Sequence, residues 1–276
     1  MKLFKFPVIL ILLFLTLPAF AQKLKADEII AKHLDSIGTA EVRAAAKSRM
    51  IVGDVLVTFI TQKNQTAQGR VVMASEATKM LIGLNLNGAD YTQEKFTFDG
   101  KKARTGFAYL TQRSLLGNWV DSNNVMLEQG LLSGALSTAW TPLNMGEGKG
   151  KFGGGGSKKI DGKEVYVVDY ATKGSDVDIT LYFEKDTFRH VRTEYKRVSS
   201  AGIGRTPNES SGFSETRYKM IEDFSDFKDE KGMMMPHLYK ILFSVSGQRG
   251  TTEVEWAFTM TAFTPNPKLD ASTFDQ

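Results

Sequence analysis

The sequence predicts a mainly β protein of the α+β class: one large antiparallel sheet of about ten or eleven strands, preceded by a helical pair. Three observations carry that expectation. Apolar residues recur at helical spacing over residues 26–46, and the period then changes to two from Met50 onward. The apolar/polar alternation returns in segment after segment, which marks antiparallel strands that are dry on one face and wet on the other. The composition, with 42% hydrophobic and 24% charged residues in 276, is that of an ordinary folded chain and excludes coiled-coil, collagenous and disordered classes.

The elements follow in order. Lys2 and Lys5 precede the apolar run Phe6 to Leu17, then Pro18 and the small-x-small triplet Ala19-Phe20-Ala21. This pattern reads as a secretory leader over residues 1–21, cleaved near Ala21, and residues 22–276 read as a single domain, periplasmic or secreted. Loss of Lys2 and Lys5 lowers the formal charge from +4 to +2, and no dense Lys/Arg cluster remains, which excludes nucleic acid as a partner. Ile29, Ile30, His33, Leu34 and Ile37 repeat as one face of a helix, with Asp27 as its expected N-cap and Gly38 at its end. Thr39 is placed to cap a second short helix, Ala40 to Ala46.

Strands come next. Met80, Ile82, Leu84 and Leu86 alternate with polar or small neighbours. Phe96 and Phe98 precede the turn Asp99-Gly100, and Phe107 and Tyr109 are expected on the return strand. Val177, Ile179, Leu181 and Phe183 form one face of a later strand. Tyr239, Ile241, Phe243 and Val245 form another, and Val254, Trp256, Phe258 and Met260 a last one. Two stretches interrupt the meander. Leu115 to Trp140 is rich in leucine and reads as one or two amphipathic helices, with Leu115 to Leu136 as an expected lid. Gly146 to Lys159, rich in glycine and lysine, reads as a mobile loop suited to transient contact with a membrane surface. Ser199 to Gly212 reads as a further flexible connection.

The chemical motifs are thin. Zero cysteines exclude disulfides, thiolate catalysis and Cys-ligated metals. Gly148 to Gly153 satisfies G-x-G-x-x-G in letters, but no strand precedes it and no helix follows, so the dinucleotide reading fails. Met233-Met234-Met235-Pro236-His237 has soft donors for Cu(I), yet consecutive residues of an extended segment point to opposite faces and do not converge on one ion. The acidic residues Glu222, Asp223, Asp226, Asp229 and Glu230 lack calcium-loop spacing and read as a solvated hairpin with Lys231-Gly232 at its tip. No G-x-S-x-G elbow exists. No catalytic residue, metal ligand or cofactor is assigned.

What remains is an apolar surplus, with 18 Phe and 11 Met. A broad curved sheet capped by few helices has more apolar face than the helices cover, and such a half-barrel suits an acyl chain. Alternation nominates Met80, Ile82, Leu84, Phe96, Phe98, Phe107, Ile179, Leu181, Phe183, Phe243, Trp256 and Phe258 as inward-facing, ligand-lining residues.

Four segments carry a resemblance. The opening Ala26-Asp-Glu-Ile-Ile-Ala-Lys-His-Leu-Asp-Ser-Ile-Gly38, the pair Lys159-Ile-Asp-Gly-Lys-Glu-Val-Tyr166 and Leu181-Tyr-Phe-Glu-Lys-Asp-Thr-Phe188, and the ending Asn266-Pro-Lys-Leu-Asp-Ala-Ser-Thr-Phe274 resemble bacterial outer-membrane lipoprotein-sorting-like proteins. The resemblance spans nearly the whole mature chain. It implies the fold of the LolA/LolB periplasmic carriers, an unclosed antiparallel barrel with helices over an apolar cavity, and non-catalytic binding of lipid or lipoprotein acyl chains. Others of that fold act as envelope sensors, so the alternative implied is an envelope sensor or protein-interaction module with a filled core. The chain is longer than the typical carrier, and no residue matches the carriers' gating arginine, so no binding residue transfers.

Overall fold

The computed structural model describes residues 24–147, 150–200 and 215–275. The expected leader and most of the Ser199–Gly212 connection therefore lie outside the described residues. Helix α1 (Ala26–Ile37) buries Ile29, Ile30, His33 and Ile37. It begins two residues earlier than the expected Asp27 cap allows, with Lys25 at the N-cap position. The Glu28 carboxylate accepts the Lys25 N–H at 2.7 Å, which leaves Asp27 in the first turn, where the helix dipole favours an acid. Gly38 ends the helix as expected. Thr39 Oγ1 accepts the Val42 N–H at the start of α2 (Ala40–Ala45).

Twelve strands follow in one antiparallel sheet. They are β1 (Ser48–Phe59), β2 (Gln65–Glu76), β3 (Lys79–Leu86), β4 (Gln93–Phe98), β5 (Ala103–Thr105), β6 (Gly150–Ile160) and β7 (Lys163–Thr172). Then come β8 (Asp178–Glu184), β9 (His190–Ser199), β10 (Thr216–Glu230), β11 (Met233–Gly247) and β12 (Gly250–Pro265). Every strand pairs with its sequence neighbours except β5 and β6, which do not pair with each other, and β1 also pairs with β12. That pairing joins two meanders, β1–β5 and β6–β12, along their first and last strands. Strands β5 and β6 are left as the two edges, so the barrel is unclosed.

The extra strand beyond the expected ten or eleven is β6. It occupies the stretch expected to be a mobile loop and pairs with β7 from Gly150↔Thr172 to Ile160↔Lys163. Glycine carries no side-chain alternation, which is why periodicity missed it. Gly155 forms a bulge with φ +105°, and a Cβ there would lie 2.4 Å from the Leu24 carbonyl oxygen. Only glycine lets the chain ahead of α1 cross this edge strand. The β4–β5 turn at Asp99-Gly100 is as expected, with Asp99 Oδ1 accepting the Lys101 and Lys102 N–H groups at 2.8 and 2.7 Å. The return strand stops at Thr105, however, so Phe107 is not inward-facing. It is 44% exposed, with the Arg113 guanidinium 5.0 Å from its ring centre.

The expected lid is a plug. Helices α3 (Leu115–Ser122) and α4 (Val125–Glu128) and two 3-10 turns, Gly134–Leu136 and Thr141–Glu147, link β5 to β6 across the concave face of the sheet. Leu116, Trp119, Val120, Met126, Leu127, Leu131, Leu132, Leu136 and Trp140 are all buried. Fully burying side chains of this size stabilises by about 1.5–3 kcal/mol each, so seating the plug is worth on the order of 20 kcal/mol before entropy. The turn that lets the plug double back needs Gly130, which has φ +61° and room for no Cβ; one there would lie 1.8 Å from the Ala139 carbonyl oxygen.

Gly130→Ala should therefore cost about 3 kcal/mol or more and lower Tm by roughly 6–12 °C. Gly153→Ala, in the open on β6 with nothing within 4 Å, should leave Tm within about 3 °C or raise it. Thermal melts of the two variants check the contrast, and equal losses would contradict it.

Candidate functional site

The plug is held by polar groups that reach it from around the sheet. Arg49, buried on β1, donates from Nη1 to the Ala135 and Leu136 carbonyl oxygens at 2.6 and 3.1 Å, and its Nη2 lies 3.3 Å from Met233 Sδ. All these partners are neutral. Glu222, fully buried on β10, accepts the Ser133 N–H at 2.8 Å and the hydroxyls of Tyr195 and Tyr239 at 2.6 and 2.5 Å. Ser75 Oγ on β2 accepts the Thr138 N–H at 2.9 Å. At the far end, Trp140 Nε1 donates to His33 Nε2 at 3.1 Å, while His33 Nδ1 faces the Phe188 carbonyl at 3.0 Å. That pair of contacts fixes His33 as the neutral Nδ1–H tautomer. His190 stacks on Trp140 with ring centres 4.7 Å apart.

Two cavities flank the plug. One, of about 350 Å³, lies at the end of the half-barrel where the β1–β2 turn, the β3–β4 loop and the start of α3 meet. Phe59, Ala67, Tyr91, Val254, Trp256 and Leu115 give it an apolar floor and wall, with Gln62, Gln65 and Gln112 nearer the outside. Its floor is wired to the plug. Trp256 Nε1 donates to Tyr91 Oη at 2.9 Å, the Tyr91 hydroxyl donates to the buried Glu94 carboxylate, and Ser114 Oγ donates to the other Glu94 oxygen at 2.7 Å. Ser114 Oγ in turn accepts the Gly117 N–H at 2.8 Å, capping α3. The second cavity, of about 290 Å³, lies towards the β2–β3 turn and is lined by Asp27, Glu128, Gln129, Asn144, Lys151 and Tyr170 among others. Ala139, Met145, Phe152 and the Tyr170 ring also line it, so its walls mix polar and apolar groups much as those of the first cavity do, and what sets the first apart is the tryptophan floor tied to α3.

Of the twelve residues nominated from alternation, eleven are buried in one core cluster, and Phe107 is outside it. Trp256 alone borders either cavity. The other ten buried residues meet the plug and neighbouring core side chains; the continuous hollow expected beneath a lid is occupied by the chain itself.

No protein-family model matches the chain, and no curated protein sequence matches it. Solved structures do. The crystal structure of a LolA superfamily protein from Nitrosomonas europaea superposes with a TM-score of 0.51 at 13% identity, over 92% of this chain and 98% of that one. The chain has the LolA-like fold. A DUF1329 family protein from Desulfovibrio piger aligns at 10% identity over 91% of this chain and 97% of that one, with a TM-score of 0.43. The MucA/MucB complex structure from Pseudomonas aeruginosa aligns at 8% identity over 88% and 99%, with a TM-score of 0.23. Among the described residues, no helix is long and apolar enough to cross a membrane.

The ionisable groups inside this LolA-like half-barrel escaped the sequence reading, although a signal was present. Arg49 is in phase with Ile51, Glu94 with Phe96 and Phe98, and Glu222 with Met220 and Phe224. Each occupies an inward position of an otherwise apolar face. Glu222 is therefore no part of a solvated acidic hairpin; the rest of that hairpin turns at Lys231-Gly232 as expected. Met233 and Met235 are buried, and Met234 between them is only half-buried, as alternation requires.

Burial pushes the Glu94 and Glu222 carboxyls up to about 7, despite the hydroxyls that stabilise their charged forms. Burial likewise pushes His33 down to about 4 and His190 down as well, the latter helped by its proximity to His33. Burial also lowers Arg49 to about 10, so it remains charged at neutral pH.

The signs oppose. A carboxyl whose folded value is raised loses stability as pH climbs from its unfolded value of 4.5 to about 7; a histidine whose folded value is lowered loses it as pH falls from 6.5 to about 4. Acids and histidines thus offset one another across the same window. Glu222→Gln removes one acid and leaves both histidines. Its stability relative to the parent should rise by about 2 kcal/mol between pH 4.5 and pH 7.5, read by urea unfolding at both values. Parallel pH profiles for the two proteins would show that Glu222 is ionised when buried.

Proposed function

We propose that this protein is a non-catalytic periplasmic binder and carrier of a lipid or lipoprotein acyl chain, and that the tail sits in the cavity beside Trp256. The observation that carries the reading is that cavity. It has an aromatic and aliphatic floor, it opens at one end of the half-barrel, and its volume of about 350 Å³ falls within the range of roughly 300–1,000 Å³ typical of small-molecule sites.

Magnitudes decide where the tail goes. Burying a 14-carbon chain gains about 0.8 kcal/mol per CH₂, on the order of 10 kcal/mol, about half of what seating the plug is worth. One tail does not evict the plug. It fills the existing hollow and at most shifts α3, whose first turn is tied to the cavity floor through Ser114, Glu94 and Tyr91. Release is then a matter of loosening one short helix, which suits a carrier better than a collapsed core would.

The second reading, an envelope sensor or protein-interaction module, is favoured by one specific observation: the concave face is filled by the chain's own plug. The two readings separate experimentally. Lipid extracted from the purified protein and identified by mass spectrometry, together with uptake of a fluorescent fatty acid, supports binding. Ala89→Trp, at the exposed mouth of the cavity, should cut that uptake about tenfold or more, with a stability change of at most about 0.5 kcal/mol. Absence of both extracted lipid and uptake would leave the interaction module standing.

A further inference from the structure

Four apolar side chains are exposed around the mouth of the Trp256 cavity. Leu110 is 76% exposed, Phe107 44%, Leu115 42% and Ile60 36%. Their segments surround the opening: Phe59 and Gln62 flank Ile60, and Ala108 and Gln112 flank the Leu110 turn, all four of them lining the cavity. The remaining large exposed apolar residues are scattered, Leu56 and Val72, for example, along the outer face of the sheet.

Leu110 stands out conformationally. It sits at the tip of a two-residue turn in which Tyr109 and Gln112 exchange backbone hydrogen bonds at 3.2 and 2.8 Å, and its φ is +48°. Left-handed backbone is costly for leucine and easy for asparagine or glycine, the ordinary residues of such a tip. A bulky apolar side chain held in a strained conformation and pointed into water contributes nothing to the fold, so its use lies outside the chain.

We propose that this end of the half-barrel docks on a lipid bilayer, with Leu110 as the inserting tip and Phe107, Leu115 and Ile60 around it. The inference rests on the acyl-binding reading for its purpose, because a tail leaving the bilayer at this rim enters the cavity without crossing water. Its geometry stands independently. Four side chains, three on the β5–α3 connection up to the first residue of α3 and one on the β1–β2 turn, are far short of the roughly 800 Å² per partner of a stable protein interface, but they suit shallow insertion between headgroups. Charges on the same end nearly balance, Lys63 and Arg249 against Asp90 and Glu253, with Arg113 paired to Asp121 at 3.3 Å, so the attachment is mainly apolar and transient.

The test is vesicle flotation with the purified exported protein at millimolar lipid, using phosphatidylcholine vesicles and vesicles containing phosphatidylglycerol. The protein should float with both, and about 0.5 M salt should change this little. Leu110→Asn should float about tenfold less, melt no lower than the parent, and still take up fluorescent fatty acid from solution. The variant differs at one position, so any contribution from the N-terminal segment is common to both proteins. No flotation with either vesicle overturns the proposal, as does equal flotation of the variant or binding that salt abolishes. Flotation without fatty-acid uptake would remove the ligand reading and leave the docking surface. Uptake without flotation would do the reverse.

Discussion

An antiparallel sheet that curls without closing exposes a concave apolar face, and covering that face is the constraint on which the rest of this structure depends. Here the cover is the chain segment that must in any case travel from edge strand β5 to edge strand β6. Leu116, Trp119, Leu127, Leu131 and Trp140 supply the apolar mass. A segment made of short helices and turns also brings unpaired carbonyl and N–H groups into the interior, and these need partners. That requirement explains the buried ionisable groups. Arg49 serves two carbonyls, Glu222 one N–H and two hydroxyls, and Glu94 the cap of α3. Each is expensive to bury and would be poorly replaced by a hydrophobe, because the plug's backbone would then be left without a partner.

The same arrangement sets where a guest fits. The polar anchors fasten the middle and the far end of the plug: Ser133, Ala135, Leu136, Thr138 and Trp140 each bond to a strand or to α1. The near end is fastened at the α3 N-terminus by Ser114 to Glu94 and by Arg113 Nε to the Thr105 carbonyl, with Arg197 reaching Asn123 at the helix's other end, and these bonds lie beside a cavity. Empty volume therefore adjoins the plug at the end carrying Trp256. The histidine pair near Trp140 and the carboxyls on β4 and β10 titrate in opposite senses, so mild acidity does not by itself unseat the plug.

Much of the fold was legible because alternation over β8, β11 and β12 is clean, and because turn residues such as Asp99-Gly100 and Lys231-Gly232 announce their hairpins. Three features were not legible. Strand β6 was hidden by glycines that have no faces to alternate. Alternation carried past Thr105, where pairing stops, points Phe107 inward. The plug's sequence predicts a lid because an amphipathic pattern shows that a segment buries one face but not how completely its partner surrounds it. The cavity itself is beyond sequence reading: alternation puts Val254 and Trp256 on one face of the same strand, but Phe59 joins them only through the β1–β12 pairing, which brings together residues nearly two hundred positions apart, and Tyr91 only through its contact with Trp256.

The central claim is that a tail and the plug are accommodated together. A crystal structure of the protein with a brominated 14-carbon fatty acid measures this directly, since bromine is located without reference to the protein density. The account places the bromine within about 4 Å of Trp256, Tyr91 or Phe59, with Trp140 still bonded to His33. Bromine lodged on the concave face where Leu127 and Leu131 now pack, with the plug displaced, would contradict it.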